Sequence, residues 1–329
     1  MRLLSRVQSL LAFPRWQELK TCQRALSTTM SRKSLDISGI YPPLATPYNK
    51  DESIAFDKLE LNMKKWNQIP FKGYVVQGSN AEWCFQSWEE RVQVVRETAK
   101  LAAPGKLIMA GSGCESTRET IRMGKEMAEA GAHALLVVNP FYFKDGMTSD
   151  ALVAHYTAVA DQSPLPIVIY NVPRNTGMNI PVDSIVRMAQ HPNIIGIKDS
   201  GGDITRIASM VFATSSSDFQ VLAGSAGFLL AAYNVGCVGG ICALANVLGE
   251  EVCKLGELAQ STDSQAARDL QLRLVGPNSC VTSRFGVPGL KAAMEWFGYY
   301  GGPTRSPLQP LSDSNSQAMK SEFQKSHFL

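Results

Sequence analysis

One lysine stands where a buried nucleophile could work. In the apolar run Ile194-Ile-Gly-Ile-Lys-Asp-Ser200, a strand of period two puts Gly196, Lys198 and Ser200 on one face. Ile195, Ile197 and Asp199 then share the other face. If the isoleucine face packs against helices, Lys198 projects among apolar strand ends. Lost hydration there disfavours the ammonium form and leaves an amine able to attack a ketone and form an imine. The alternative is a solvated lysine at a strand end, or one paired with Asp199 for structure. Tyr170 ends a second apolar run, Ile167–Asn171, and on an adjacent strand its phenol could move protons to and from such an imine. Otherwise it is a rim aromatic. Gly78-Ser79-Asn80 falls between a strand and a helical turn, where backbone N–H groups and two short polar side chains make a cradle for a carboxylate or phosphate. The histidines (His133, His155, His191, His327) are scattered, and the seven cysteines contain no CxxC pair. No metal, organic cofactor or disulfide framework is expected, and a reducing compartment fits.

These residues need elements to hold them. From residue 37 a short apolar strand followed by an amphipathic helix recurs eight times. The strands are Ile40–Thr46, Tyr74–Gly78, Leu107–Ser112, Ala134–Asn139, Ile167–Asn171, Ile194–Ser200, Gln220–Gly224 and Gly239–Ala243. Helix starts carry their signals. Ser87 to Glu90 and Ser116 to Glu119 form capping boxes, Thr148 and Asp203 are N-caps, and Pro181 takes a first helical position. Eight alternations in one series favour an α/β fold closed as a (β/α)8 TIM barrel over a doubly wound open sheet. Residues 37–245 are assigned to the barrel. Residues 246–329 form a C-terminal helical extension with helices over 250–260, 265–275 and 288–297, a hinge at 298–303 and a frayed tail from Leu311. Barrel chemistry sits at the C-terminal strand ends, which is where Lys198, Tyr170 and Ser79-Asn80 fall.

Charge and hydropathy exclude other classes. Of 329 residues, 45% are hydrophobic and 19% charged, enough apolar material for a core and too much for a disordered chain. The net charge of +3 conceals a basic leader: residues 1–35 carry +6, so the rest sums to −3. A slightly acidic body offers no electrostatic case for nucleic acid. No apolar run reaches the ~20 residues of a membrane span. Residues 1–28 alternate Arg and Lys with Leu, Val, Phe and Trp and contain one acid, the composition of a mitochondrial transit peptide. Chloroplast import is the lesser alternative. The expected location is the mitochondrial matrix, with the cysteines from Cys84 onward as free thiols.

Lys198 in GIKDS, Tyr170 in YNVP, GSNAE (Gly78–Glu82) and Pro140-Phe-Tyr142 occur in the order and spacing of a known family. From about residue 37 to 325 the chain resembles the pyruvate-dependent class I lyases, which include dihydrodipicolinate synthase and N-acetylneuraminate lyase. The resemblance implies a barrel with C-terminal helices, a small 2-oxo acid as substrate and a homotetramer built from two tight dimers. It implies that Lys198 is the Schiff-base lysine and Tyr170 the proton-transferring tyrosine. Ser79 and Asn80 fall where the family carries a hydroxyl pair that grips the pyruvyl carboxylate. Tyr142 matches a tyrosine that reaches across the dimer interface, and Ser200 and Gly224 match positions lining the substrate pocket.

One segment departs from the synthases. They read YNVPSRTG, with an arginine for the aldehyde substrate's carboxylate, whereas Tyr170–Gly177 here puts Asn175 in that position and Arg174 one step earlier. With the leader, this variant is most similar to members that cleave 4-hydroxy-2-oxoglutarate to pyruvate and glyoxylate, the expected reaction. Arg174 is expected to turn into the mouth and meet the distal carboxylate, or else to face an interface. Synthase-type or sialic-acid-lyase-type activity is the alternative. A barrel that binds keto acids without turnover is the reading from a different class.

Overall fold

A computed structural model of the chain describes residues 35–329, so the expected transit segment and Cys22 lie outside the described residues. Eight parallel strands alternate with helices. They are β1 (Gly39–Tyr41), β2 (Gly73–Val76), β3 (Leu107–Gly111), β4 (Ala134–Val138), β5 (Ile167–Asn171), β6 (Ile194–Asp199), β7 (Gln220–Ala223) and β8 (Gly239–Ile241). The ladder runs in sequence order from β2 to β8 and then returns to β1. Just past β1, Leu44 N donates to the Val75 carbonyl at 2.9 Å and Val75 N to the Pro42 carbonyl at 3.1 Å. These bonds bridge the seam between β1 and β2, so the sheet is a TIM barrel and not an open doubly wound sheet.

The strands read as continuous apolar runs because both faces are buried. Val75, Met109, Leu136, Val168, Leu222 and Ile241 fill the barrel interior. Val76, Ile108, Leu135, Val137, Ile169 and Ile197 face the helices. Most strands stop short of their expected ends; for β1 and β2 the reason is local, since Pro42 and Pro43 cannot donate to a ladder and Gln77 turns at φ 62°.

The expected alternation in β6 fails at one residue. Ile167 pairs with Ile194 but Val168 pairs with Gly196, so Ile195 is a bulge. Ile195 therefore packs inside the barrel while Ile197 packs outside. From Gly196 onward the alternation resumes, and Lys198 still points inward.

Around the barrel lie α1 (Phe56–Trp66), α2 (Trp88–Leu101), α3 (Thr117–Glu129), α4 (Ser149–Gln162), α5 (Val182–Met188), α6 (Ile204–Ala213) and α7 (Leu229–Asn234). Ser87 and Glu90 form the expected capping box. At α3 only half forms: Ser116 caps Glu119 N, while the Glu119 carboxylate turns to Arg118 and Arg122. Thr148 and Asp203 cap as expected, and Pro181 sits at the N-cap of α5, one position earlier than its expected place.

The C-terminal helices are α8 (Gly249–Leu258), α9 (Ser264–Ser279), α10 (Gly286–Trp296) and α11 (Asp313–Lys325), with a π-helical turn (Cys280–Arg284) joining α9 to α10. Two expectations need correcting. The tail is no frayed end: Ser312 caps α11, and Phe323 packs fully buried against the rings of Trp296 and Phe297. Residues 298–303 are no hinge, since Asn62 exchanges two 2.8 Å bonds with the Tyr300 backbone and the Tyr300 hydroxyl donates to the Tyr48 carbonyl. Cys84, Cys114, Cys237, Cys242, Cys253 and Cys280 are all free thiols. Among the described residues no helix is long and apolar enough to cross a membrane, and no cluster of three His, Cys, Asp or Glu side chains could hold a metal ion.

His155 makes the fold acid-sensitive. Its imidazole is buried on α4 with Nδ1 2.9 Å from Thr117 Oγ1, and burial pushes its pKa from 6.5 down to about 4. The unfolded chain therefore binds the proton first as pH falls, and stability drops between pH 6.5 and 4. The loss from this group approaches ~3 kcal/mol at ~1.4 kcal/mol per pH unit. Urea unfolding at pH 7 and pH 4.5 should show it, and His155→Gln should flatten that part of the profile. An unchanged profile would remove His155 as its source.

Candidate active site

Lys198 ends β6 inside the barrel mouth, 3% exposed, with Tyr170 of β5 and Leu222 of β7 as its paired neighbours. Its Nζ lies 4.0 Å from the centroid of the Tyr170 ring. Asp199 is not its partner. The next residue on a strand points the other way, and there Asp199 accepts from Asn171 Nδ2 (2.8 Å), Gly201 N (2.8 Å) and Arg206 Nε (3.4 Å). Tyr170 Oη sits 3.2 Å from Ser79 Oγ. Burial alone would raise the Tyr170 phenol. The Lys198 charge, with hydrogen bonds to Ser79, Lys198 and Ser200, outweighs burial and holds its pKa below the ordinary value. Close by, burial pushes the Cys242 thiol up to about 12, so it remains neutral.

Local backbone geometry places the cradle. After β2 the chain reverses at Gln77, and Ser79–Ala81 wind into a single 3-10 turn that presents Ser79 to Tyr170. Asn80 Nδ2 reaches back 3.4 Å to the Pro43 carbonyl. Glu82 follows in the left-handed region at φ 58°. Its carboxylate accepts from Lys291 Nζ at 2.7 Å and Arg305 N at 2.8 Å, with the Glu82 and Lys291 side chains 1% and 2% exposed. This ion pair ties the cradle to α10. Sequence reasoning counted Glu82 only as a motif letter and missed Lys291, whose partner lies 209 positions away.

Ser200 and Gly224 form the facing wall of a cavity of about 830 Å³ that also holds Lys198, Tyr170, Ser79 and Asn80. Six of the seven expected site residues therefore share one cavity. Tyr142 does not. The loop after β4 is drawn to Glu115, whose Oε2 accepts from Phe141 N and Tyr142 N, and the Tyr142 ring is 75% exposed beside Phe143. Within one chain it cannot line the pocket. Arg174 borders the mouth, but its Nη2 donates to the Ser283 carbonyl at 2.8 Å in the π-helical turn. Asn278, Thr282 and Arg284 from the C-terminal helices complete the wall, and no sequence signal singled them out.

Gly224 is required by close approach. A Cβ there would lie 2.0 Å from Ser200 Oγ and 2.7 Å from the Asp199 carbonyl oxygen. Gly224→Ala should cost ~1–3 kcal/mol, as overpacking does, and should displace Ser200. Urea unfolding, paired with the rate at which borohydride fixes a 2-oxo acid to the protein, checks this. Wild-type values in both would show that the wall yields.

The arrangement suits imine chemistry: a buried amine, a phenol of lowered pKa beside it, and a polar cradle one hydrogen bond away. The comparisons agree with the fold. A family model described as the dihydrodipicolinate synthetase family matches residues 36–326. The chain is 35% identical over 284 residues to a 4-hydroxy-tetrahydrodipicolinate synthase of Haloarcula marismortui, covering 86% of this chain and 91% of that protein. A synthase of the same name from Methanospirillum hungatei is 32% identical, with 86% and 97% covered. Among solved structures, a dihydrodipicolinate synthase of Acinetobacter baumannii complexed with pyruvate superposes with a TM-score of 0.84 at 28% identity, covering 89% of this chain and all of that one. A Methylacidiphilum fumariolicum synthase gives 0.83 at 29%, covering 89% and 96%. With its fold and nearly its whole described length in agreement, this chain belongs to the dihydrodipicolinate synthetase family.

Proposed function

We propose that this protein is a Schiff-base lyase in which Lys198 condenses with the ketone of a 2-oxo acid. The observation that carries the reading is the buried Lys198 amine against Tyr170, whose phenol is held below its ordinary pKa and touches Ser79. Ser79 and Asn80 receive the 2-oxo acid's carboxylate. Lys198 in its neutral form attacks C2, water leaves, and the positive imine nitrogen becomes an electron sink. Tyr170 takes the proton of the C4 hydroxyl, the C3–C4 bond breaks and the aldehyde departs. Protonation of the enamine and hydrolysis then release pyruvate. The same steps in reverse join pyruvate to an aldehyde.

Two aldehyde partners compete. The names of the relatives favour the synthase reaction, condensation of pyruvate with aspartate semialdehyde. The chain's own residues favour cleavage of 4-hydroxy-2-oxoglutarate to pyruvate and glyoxylate, because Asn175 replaces the arginine that the synthases use for their aldehyde's carboxylate. We adopt the cleavage reading on that substitution. Parallel assays of the purified protein with 4-hydroxy-2-oxoglutarate, with aspartate semialdehyde plus pyruvate, and with N-acetylneuraminate test it. Glyoxylate release as the dominant activity supports the reading, and efficient condensation with aspartate semialdehyde would replace it with the synthase. Imine formation without turnover of any of these would point to a binding barrel.

The basic leader supports a mitochondrial matrix location, which import of the full chain into isolated mitochondria would test. A homotetramer of tight dimers is proposed on the family resemblance. The exposed Tyr142–Phe143 pair supports a buried contact there.

A further inference from the structure

We propose that Arg284 is the specificity-determining residue that meets the second carboxylate of a 2-oxo dicarboxylate held on Lys198. The proposal rests on the imine reading of the site and deepens it by naming the group that selects the far end of the substrate.

A substrate gripped by Ser79-Asn80 at one carboxylate and by Lys198 at C2 must extend away from β2, toward Ser200, Gly224 and the C-terminal helices. Besides Lys198, two cationic side chains border the cavity among the described residues, Arg174 and Arg284. Arg174 is partly committed, since its Nη2 is spent on the Ser283 carbonyl. That bond fixes the residue just before Arg284 and makes Arg174 a positioning residue for the turn. Arg284 has softer company. Its guanidinium lies 5.0 Å over the Phe285 ring, and its Nη1 is 3.9 Å from Cys280 Sγ. Burial raises the Cys280 thiol pKa, so that sulfur is neutral and a weak acceptor. The carboxylate that also borders the cavity, Glu82, is already neutralised by Lys291.

A guanidinium on the cavity rim with no ion-pair partner among the described residues has the most to gain from a planar carboxylate, which it can bind through two parallel N–H bonds. The backbone supports this placement. α9 does not end in an ordinary cap but widens into the π-helical turn Cys280–Arg284, a distortion common at functional sites. Gly286 then turns at φ 58° to start α10. The widened turn brings Arg284 to the lining of the cavity.

The test needs no turnover. 2-Oxoglutarate can form the imine but lacks the C4 hydroxyl required for cleavage, and 2-oxobutyrate lacks the second carboxylate. Borohydride trapping is measured against the concentration of each, and of pyruvate, for wild type, Arg284→Gln, Arg284→Lys and Arg174→Gln. Wild type is expected to half-saturate at lower 2-oxoglutarate than 2-oxobutyrate. Arg284→Gln is expected to raise the 2-oxoglutarate value ~30-fold or more, the range for truncating one partner of a charge pair. Pyruvate and 2-oxobutyrate should stay within a factor of ~3. Arg284→Lys keeps the charge but loses the fork, so it should show a smaller shift in the same direction, and it serves if the glutamine variant fails to fold. Equal shifts for all three acids, no dicarboxylate preference in wild type, or a selective loss in Arg174→Gln alone would each overturn the proposal. Wild type that traps pyruvate on Lys198 yet fails these tests leaves the imine reading standing. Wild type that traps nothing overturns both.

Discussion

Replacing Lys198 with alanine is expected to abolish imine formation and lower turnover by ~10⁴-fold or more, as removal of a covalent nucleophile does in other enzymes. Borohydride reduction with pyruvate should add one pyruvate-sized mass to each wild-type chain, on the peptide that contains Lys198, and none to the variant. Lys198→Arg should be equally inactive, because a guanidinium stays protonated and cannot attack a ketone. The alanine variant has a second, spectroscopic signature. Removing the positive charge takes away the largest influence that lowers the Tyr170 pKa and leaves only the serine hydroxyls to oppose burial. Ultraviolet titration should therefore show one tyrosine ionising at higher pH than in wild type. Adduct formation that survives Lys198→Ala would assign the chemistry to another amine.

Tyr170→Phe should reduce kcat by ~10²–10⁴, the range for loss of a positioned proton-transfer group. The ring would still lie beneath the Lys198 amine, so the packing at the mouth persists and only a hydroxyl is removed. The loss of its contact with Ser79 is expected to cost about 1 kcal/mol of stability, the net worth of an ordinary hydrogen bond. Trapping of pyruvate should continue, more slowly, since the amine remains. The pH profile of kcat should lose the limb that belongs to the Tyr170 phenol. A variant with wild-type kcat and an unchanged profile would reduce Tyr170 to a packing residue.

Much of this molecule is written in near neighbours along the chain. Apolar runs of five to seven residues separated by capped amphipathic helices specify parallel strands buried on both faces, and eight of them in series close a barrel. Strand period sets Lys198 on the face opposite Ile197, and the barrel rule puts it with Tyr170 and Ser79 at one end. Capping, turn chemistry and two-residue alternation are short-range interactions, so a sequence displays them directly. What the tertiary structure decided has the opposite character. The bulge at Ile195 arises from the fit of β6 against β5, and a single strand carries no mark of it. The loop holding Tyr142 is set by Glu115, so this ring leaves the site of its own chain. Lys291 finds Glu82, Arg174 finds the Ser283 carbonyl, and Arg284 reaches the cavity only because the C-terminal helices fold over the barrel mouth. These partnerships join residues more than a hundred positions apart, or depend on an α-helix widening by one residue. They are chosen by competition among all the charges and donors that the fold brings within reach, and that competition exists only once the chain has closed on itself.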